Sequence, residues 1–188
     1  ETPASYVLNN NSLSAARDFF ALVSVKGVRI VWEIRAPIIE QAIELMEDFN
    51  IIHCIDISSC KPLEWSDVGY SRLFGKGKHN LWQFTDEELQ TINKNASESK
   101  ASVVAMSFHS ARMIKDALRF NQFKLTGNFP PVTPFTGLDS ARSVLSEDAI
   151  FPSSKQTLII DQGWKVYDES TEKRIHLSEL LSKLPEKT

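Results

Sequence analysis

One short stretch decides the predicted fold: Val28-Arg29-Ile30-Val31-Trp32-Glu33-Ile34-Arg35. Its β-branched and aromatic residues are typical of a β-strand, and successive strand side chains point to opposite faces of a sheet. The even-numbered positions are all apolar, whereas the opposite face ends in Glu33 and Arg35. Because helices should cover the apolar face, we expect Glu33 and Arg35 to point inward at the carboxyl end of the strand. That placement is costly unless the two charges pair or meet water or ligand.

Helix-like and strand-like segments alternate on both sides of this stretch. Apolar residues at three- and four-residue steps predict an amphipathic helix over 12–24, with Asn11 or Ser12 as its N-cap. A second helix should begin with Pro37 in its first turn, and the capping box Thr85–Glu88 should open another. The other predicted elements are strands at Ile51–Asp56, Val68–Phe74 and Ala101–Phe108, and a helix over 110–121. This alternation predicts the α/β class with parallel strands.

The composition of the sequence changes after Phe123, and the periodic pattern of apolar residues ends there. Prolines and glycines punctuate residues 124–150, which we interpret as a linker with room for one short helix over 138–145. Residues 151–188 read as a small α/β appendage: a helix capped by Ser153, a strand over 164–167 and a helix over 176–184. Some 35 residues bury little core alone, so the appendage should dock on the rest of the chain or on a partner.

Composition narrows the class of protein. The chain has 188 residues and a formal charge of −3, with 42% hydrophobic and 24% charged residues, which is typical of a globular cytoplasmic protein. No apolar run approaches the roughly 18 residues that a membrane span needs, and a general nucleic-acid binder would be more basic. Cys54 and Cys60 are too few for a disulfide framework and lack the spacing of a zinc or redox pair.

Polar residues collect at the carboxyl ends of the predicted strands, where parallel α/β proteins form their active sites. The five are Glu33, Arg35, Asp56, Arg72 and His109. We expect them to surround a ligand site. The alternative is an ion-pair network that only stabilises the fold.

Several motifs, in order, resemble the YecE-like family, a family defined as a domain of unknown function. They are the run Trp32–Arg35, Ile55-Asp56, Tyr70–Gly75, Trp82–Leu89, and Ser107–Ser110 with Ala117 downstream. Residues Pro3–Tyr6 look like the family's segment just after its fourth strand. The resemblance covers about residues 1–123, roughly the C-terminal half of the family's barrel.

The resemblance implies a TIM-type (β/α) barrel and, by structural analogy within the family, a nuclease role in DNA repair. The residues that match the family pattern are Glu33, Arg35, Asp56, Tyr70, Arg72 and Gly75. Phe74 departs from it, since the family usually has His there, and His109-Ser110 stands where the family has an Asn pair. Because a closed barrel needs about 250 residues, we expect a preceding half or a partner chain to complete it.

The predicted chemistry follows from these residues. Arg35 and Arg72 would clamp a phosphate-bearing or nucleic-acid-derived substrate, Glu33 or Asp56 would act as base, and His109 would donate or relay a proton.

A glycine-rich basic loop follows the third strand, and its residues Gly75, Lys76 and Lys78 would bind a phosphate of the substrate. The alternative is a flexible basic loop with no ligand. Tyr70 is a further predicted substrate contact. A divalent metal at Glu33, Asp56 and His109 is an open alternative. The competing hypothesis is a non-catalytic binding or scaffold module.

Overall fold

The computed structural model describes residues 1–23, 26–60 and 66–185. It divides into two compact units, described separately below: unit 1 comprises 1–72 and 94–107, and unit 2 comprises 73–93 and 108–188. The predicted helix end at Ser24 and the predicted loop around Pro62 lie outside the described residues.

A four-stranded parallel sheet in the order β1-β2-β3-β4 is the centre of unit 1. Its strands are β1 (Val31–Glu33), β2 (Ile52–Ile55), β3 (Val68–Leu73) and β4 (Val103–Phe108). Each lies within a predicted strand segment, so the α/β class and the parallel order are confirmed. Within the described residues the sheet is open, with β1 and β4 at its edges, and a closed barrel is not seen.

Two helices of unit 1, α1 (Asn10–Val23) and α2 (Glu40–Asp48), pack on the apolar face of the sheet. The buried contacts bring together side chains of α1, β1 and α2: Ala16, Phe20, Trp32, Leu45 and Met46. Burying a side chain of the size of Phe20, Leu45 or Met46 is worth about 1.5–3 kcal/mol. This is the face that the alternation in 28–35 predicts, so the direction of Trp32 is confirmed.

Several predicted helix ends differ from the structure. Asn9, not Asn11 or Ser12, caps α1: the Ser12 N–H donates to Asn9 Oδ1 at 3.0 Å, and the Asn9 N–H donates to Ser12 Oγ at 2.9 Å. Pro37 precedes α2 instead of lying in its first turn, because the chain stays extended to Ile39.

Unit 2 contains the C-terminal helices and a small antiparallel sheet. Its elements are α4 (Met113–Thr126), α5 (Gly137–Leu145), α6 (Lys155–Gln162), β5 (Val166–Asp168), β6 (Arg174–His176) and α7 (Leu177–Leu181). Ser154, one residue after the predicted cap, accepts from the Thr157 N–H at 3.1 Å. The strand β6 was not predicted from the sequence, and its last residue, His176, is the first residue of the predicted helix 176–184.

The segment 124–150 forms part of a hydrophobic core of unit 2. It contains α5, whose residues Ala141 and Val144 are buried in one core with Leu158 and Ile175. The short helix predicted over 138–145 is therefore present, and it packs with the residues that the sequence suggests are an appendage. The predicted boundaries at 123 and 150 stay a prediction.

A chain of buried charges runs through unit 2. Arg119 donates to Asp116 and Asp86, and Arg174 donates to the other oxygen of Asp86 and to Asp168 at 3.0 Å each. Such pairs need their remaining hydrogen bonds satisfied to offset the cost of burial. Asp168 also accepts from the Thr133 N–H at 2.8 Å. Acidic and basic side chains thus alternate along this series of buried ion pairs.

The helix α3 (Asp86–Ser97) begins as predicted. Glu88 Oε2 accepts from the Thr85 N–H at 3.0 Å, and Thr85 Oγ1 accepts from the Glu88 N–H at 3.3 Å. This reciprocal pair is the capping box that the sequence predicts, so that prediction is confirmed.

Candidate functional site

The register of the parallel sheet places the predicted site residues of unit 1 on one face. Glu33 pairs with Cys54, and Cys54 pairs with Tyr70. Arg35 lies two residues beyond Glu33, and Arg72 two residues beyond Tyr70, so both extend from this face at the carboxyl end of the strands. The same alternation assigns Asp56 to this face.

Four side chains on this face form a closed ring of ion pairs. Glu33 accepts from Arg35 Nε at 3.0 Å through Oε1 and from Arg72 Nη1 through Oε2. Glu1 accepts from Arg35 Nη2 at 2.8 Å through Oε1 and from Arg72 Nη1 at 2.6 Å through Oε2. We call Glu1, Glu33, Arg35 and Arg72 the charge ring.

Burial differs from one side of the charge ring to the other. The side chain of Glu33 is 11% exposed and that of Arg72 is 19% exposed, whereas those of Arg35 and Glu1 are 44% and 42% exposed. Glu33 therefore lies on the buried side of the charge ring, and Glu1 and Arg35 lie on its solvent-exposed side.

The electrostatics of the ring follow from these contacts. Burial opposes the charge of Arg72, but the hydrogen bonds to Glu1 and Glu33 hold its pKa above its usual value. The hydrogen bond from Arg72 lowers the pKa of Glu1. Both residues are thus charged at neutral pH.

The backbone of the first residues is fixed next to Glu33. Thr2 forms an isolated parallel bridge with Ile34, and its N–H donates to the Glu33 carbonyl at 2.9 Å. Thr2 Oγ1 donates to the same carbonyl at 3.1 Å. These bonds bring the Glu1 carboxylate to the two guanidinium groups.

Asp56 and Cys54 have different surroundings from the ring. Asp56 Oδ1 accepts from the N–H and the hydroxyl of Ser58 at 2.9 and 2.6 Å, which holds it in the turn after β2. The Cys54 thiol lies 4.0 Å from Glu33 Oε2, and burial raises its pKa to about 11. Cys54 is therefore a protonated thiol at neutral pH and does not act as a nucleophile.

The residues of unit 1 do not fit a divalent cation at Glu33. Guanidinium groups donate to both of its carboxylate oxygens. The positive charges of Arg35 and Arg72 would also repel a divalent cation at this position. Among the residues that the structure describes, no cluster of three or more His, Cys, Asp or Glu side chains could hold a metal ion.

The remaining predicted residues belong to unit 2. His109 stacks on Phe74, with ring centroids 5.3 Å apart. Lys76 Nζ pairs with Glu88 Oε1 at 3.0 Å, and this carboxylate would oppose an anion there. Lys78 is exposed in a short 3₁₀ turn.

Gly75 has a geometric reason to be glycine. Its φ is +77°, and a Cβ atom there would lie 2.4 Å from the Trp82 side chain. The loop 75–80 is also bonded at its end, because the Asn80 carbonyl accepts from the N–H groups of Trp82 and Ala111 at 3.0 and 2.8 Å. The loop is thus a tightly packed turn, and its predicted phosphate contacts stay a prediction.

An apolar groove of about 470 Å³ lies in unit 1 beside the edge strand β1. Side chains of α1 and β1 line it, among them Phe19, Phe20 and Trp32, and Glu1 and Thr2 also contribute. Phe19, which lines the groove, is 55% exposed.

Sequence reasoning missed Glu1 as a site residue. The alternation of the strands assigns Glu33, Arg35 and Arg72 to one face, but Glu1 precedes the first predicted element. The sequence carries one signal, that Pro3–Tyr6 look like a segment just after a strand, and the bridge of Thr2 to Ile34 is the relevant contact.

Comparison with known proteins adds no identification. No protein-family model, curated protein or solved structure matches the chain. Within the described residues, the helices are too short or too polar to cross a membrane.

Proposed function

We propose that unit 1 binds a phosphate-bearing ligand through Arg35 and Arg72. One observation carries the proposal: a single carboxylate, that of Glu1, accepts hydrogen bonds from both guanidinium groups, at 2.8 and 2.6 Å. The spacing of the two arginines therefore suits an oxyanion. Guanidinium is always charged and presents its donors in a rigid fork that matches phosphate and carboxylate.

Glu33 supports this proposal as a positioning residue. It is buried and accepts from Arg35 and Arg72 on separate oxygens, so it fixes the orientation of both guanidinium groups before a ligand arrives. A fixed donor set loses less entropy on binding. The location at the carboxyl ends of parallel strands is also where α/β folds bind their ligands.

As an enzyme, the protein would be a hydrolase or nuclease acting on a phosphate-bearing or nucleic-acid-derived substrate. The arginines would stabilise charge that develops on the phosphoryl oxygens. Glu33 is a poor base in this scheme because two guanidinium groups occupy its oxygens. The role of base therefore passes to Asp56 within unit 1. His109 belongs to unit 2, and its role as proton donor stays a prediction from the sequence.

We further infer that the open sheet is part of a TIM-type barrel of the YecE-like kind. Support comes from the parallel order of four strands and from the parallel bridge of Thr2 on the outer edge of β1. A partner chain or a preceding segment would supply the missing strands.

The second candidate function is a non-catalytic binding or scaffold module. The groove beside β1 favours it, since exposed apolar surface of this kind marks interaction sites. Its occupant would be an extended polypeptide strand that continues the parallel pairing begun by Thr2. In this case the charge ring would only stabilise unit 1.

Binding of inorganic phosphate and of a nucleoside monophosphate tests the main proposal. We expect Arg35→Ala to weaken the affinity for both by about tenfold, because a hydrogen bond to a charged group is lost. Isothermal titration calorimetry at low salt measures the affinity.

The matched control is Arg17→Ala. Arg17 is 52% exposed and pairs with Asp48 at 2.8 Å, much as Arg35 pairs with Glu1, so its removal changes net charge equally. Its affinity should stay within about twofold of wild type. Equal affinities for all three proteins, or no binding by any, would contradict the proposal and leave the scaffold function.

A further inference from the structure

The Glu1 carboxylate occupies the position that an anionic ligand would take. Its two oxygens accept from two different arginines, Oε1 from Arg35 and Oε2 from Arg72. A bound phosphate or carboxylate would make the same pair of charge-assisted bonds. Glu1 thus imitates a ligand within unit 1.

The two carboxylates of the charge ring are not equivalent. Glu33 is held in β1 and is buried, so it cannot leave without moving the strand. Glu1 is 42% exposed, and rotation about its side-chain bonds is enough to carry its carboxylate into solvent. Thr2 stays bonded to the Glu33 carbonyl during such a rotation, since that bond involves the Thr2 N–H.

We propose that Glu1 is a built-in competitor for the site, which an incoming phosphate displaces from Arg35 and Arg72. This inference rests on the proposed function, and it adds a regulation of the same site. In the closed state the Glu1 carboxylate covers both guanidinium groups, and in the open state the phosphate replaces it while Glu33 continues to orient them.

The exchange favours one chemical class of ligand. The ring has two positive and two negative charges with Glu1 in place. Glu1 offers one negative charge to the arginines, whereas a phosphate monoester carries close to two at neutral pH. A dianionic phosphate therefore gains more from the two arginines than Glu1 does, but a simple monocarboxylate gains no such advantage. We expect the site to select phosphate monoesters over carboxylates.

Two substitutions at Glu1 test the competition. Glu1→Ala removes the competitor and should tighten the binding of inorganic phosphate by about fivefold, the upper end of what a partly exposed ion pair is worth. Glu1→Asp keeps the charge but is one methylene shorter, so it should bridge the two arginines poorly and also tighten the binding. Calorimetry measures both affinities.

The control for net charge is Asp48→Ala, which breaks the exposed pair with Arg17 and should leave phosphate affinity within about twofold of wild type. Thermal denaturation confirms that each variant is folded. Acetate, used as a second probe, should bind at least tenfold more weakly than phosphate to Glu1→Ala; equal affinity would contradict the selection of dianions.

The outcomes separate this inference from the proposed function. If phosphate binds wild type, and Glu1→Ala and Glu1→Asp bind it with the same affinity as wild type, the competition is wrong and the binding function stands. If Arg35→Ala makes no difference to phosphate affinity in the Glu1→Ala background, the proposed function itself fails, and the competition fails with it.

Discussion

Arg72 carries its charge in a mostly buried position, and two carboxylates compensate for it. Its Nη1 donates to Glu1 and to Glu33. If one of these carboxylates were removed, part of the free-energy cost of burying the Arg72 charge would no longer be offset. The residue is therefore held in one orientation, which is what a ligand-binding arginine requires.

The sequence predicts only some of the residues of the charge ring. Alternation in the strands identifies Glu33, Arg35 and Arg72 as neighbours on one face. It gives no information on Glu1, because the contact joins residues far apart in the sequence and depends on how the first residues lie against β1. The sequence also suggests Asp56 beside the others, and the structure shows it in a turn with Ser58.

Asp116 supplies a prediction at the residue scale. Burial raises its pKa to about 6, although Arg119, the Phe84 N–H and the Ser110 hydroxyl lower it. A carboxyl with a raised pKa stabilises the folded state fully below its unfolded pKa of 3.8. That contribution is lost as the pH rises through about 6.

The test compares wild type with Asp116→Asn. The free energy of unfolding of the variant, relative to wild type, should increase from pH 4 to pH 7 by about 2 kcal/mol, because only wild type must ionise a buried carboxyl. Urea denaturation at several pH values measures it. The control Asp139→Asn, on an exposed residue of α5, should show no such trend, and a flat difference for Asp116→Asn would refute the raised pKa.

At the scale of elements, the strand β1 has one covered edge and one open edge. The Ile52 N–H donates to the Ile30 carbonyl at 2.8 Å. The backbone carbonyl of Ile30 therefore points toward β2, and the backbone N–H of Val31 points to the opposite edge of β1. On that outer edge the Thr2 N–H donates to the carbonyl of Glu33 at 2.9 Å. Among the described residues, the structure records no partner for the Val31 N–H.

Amide hydrogen exchange, measured residue by residue on the chain alone, tests the open edge. We expect the Val31 amide to exchange at least about tenfold faster than the Ile52 amide, because only Ile52 must lose a hydrogen bond within the sheet before it exchanges. Equal protection of the two amides would mean that another segment or a second copy already covers β1.

Elements with strong local signals were the easiest to predict. The capping box of Thr85 and Glu88 fixes the start of α3 because its bonds are local in sequence. The start of α2 after Pro37 and the strand β6 were not predicted correctly. A proline is compatible with several extended or helical starts, and the three residues of β6 form a strand only because β5 lies beside them.

At the scale of the whole molecule, the α/β class could be predicted from the sequence, whereas the predicted boundaries at 123 and 150 stay a prediction. Alternating strands and helices give the parallel sheet of unit 1. The glycines and prolines in 124–150 suggest a linker, yet Ala141 and Val144 lie in the core of unit 2 with Ile175. Whether a segment connects or packs depends on long-range contacts, which local composition does not encode.

The central claim is that Arg35 and Arg72 together bind an oxyanion. The most direct measurement is a titration with inorganic phosphate that follows the Nε–Hε resonances of the arginine side chains by NMR. We expect the resonances of Arg35 and Arg72 to shift together and to saturate at the same phosphate concentration, while those of Arg17 and Arg29 stay in place. Shifts spread evenly over all the exposed arginines, or no saturable shift at Arg35 and Arg72, would contradict the claim.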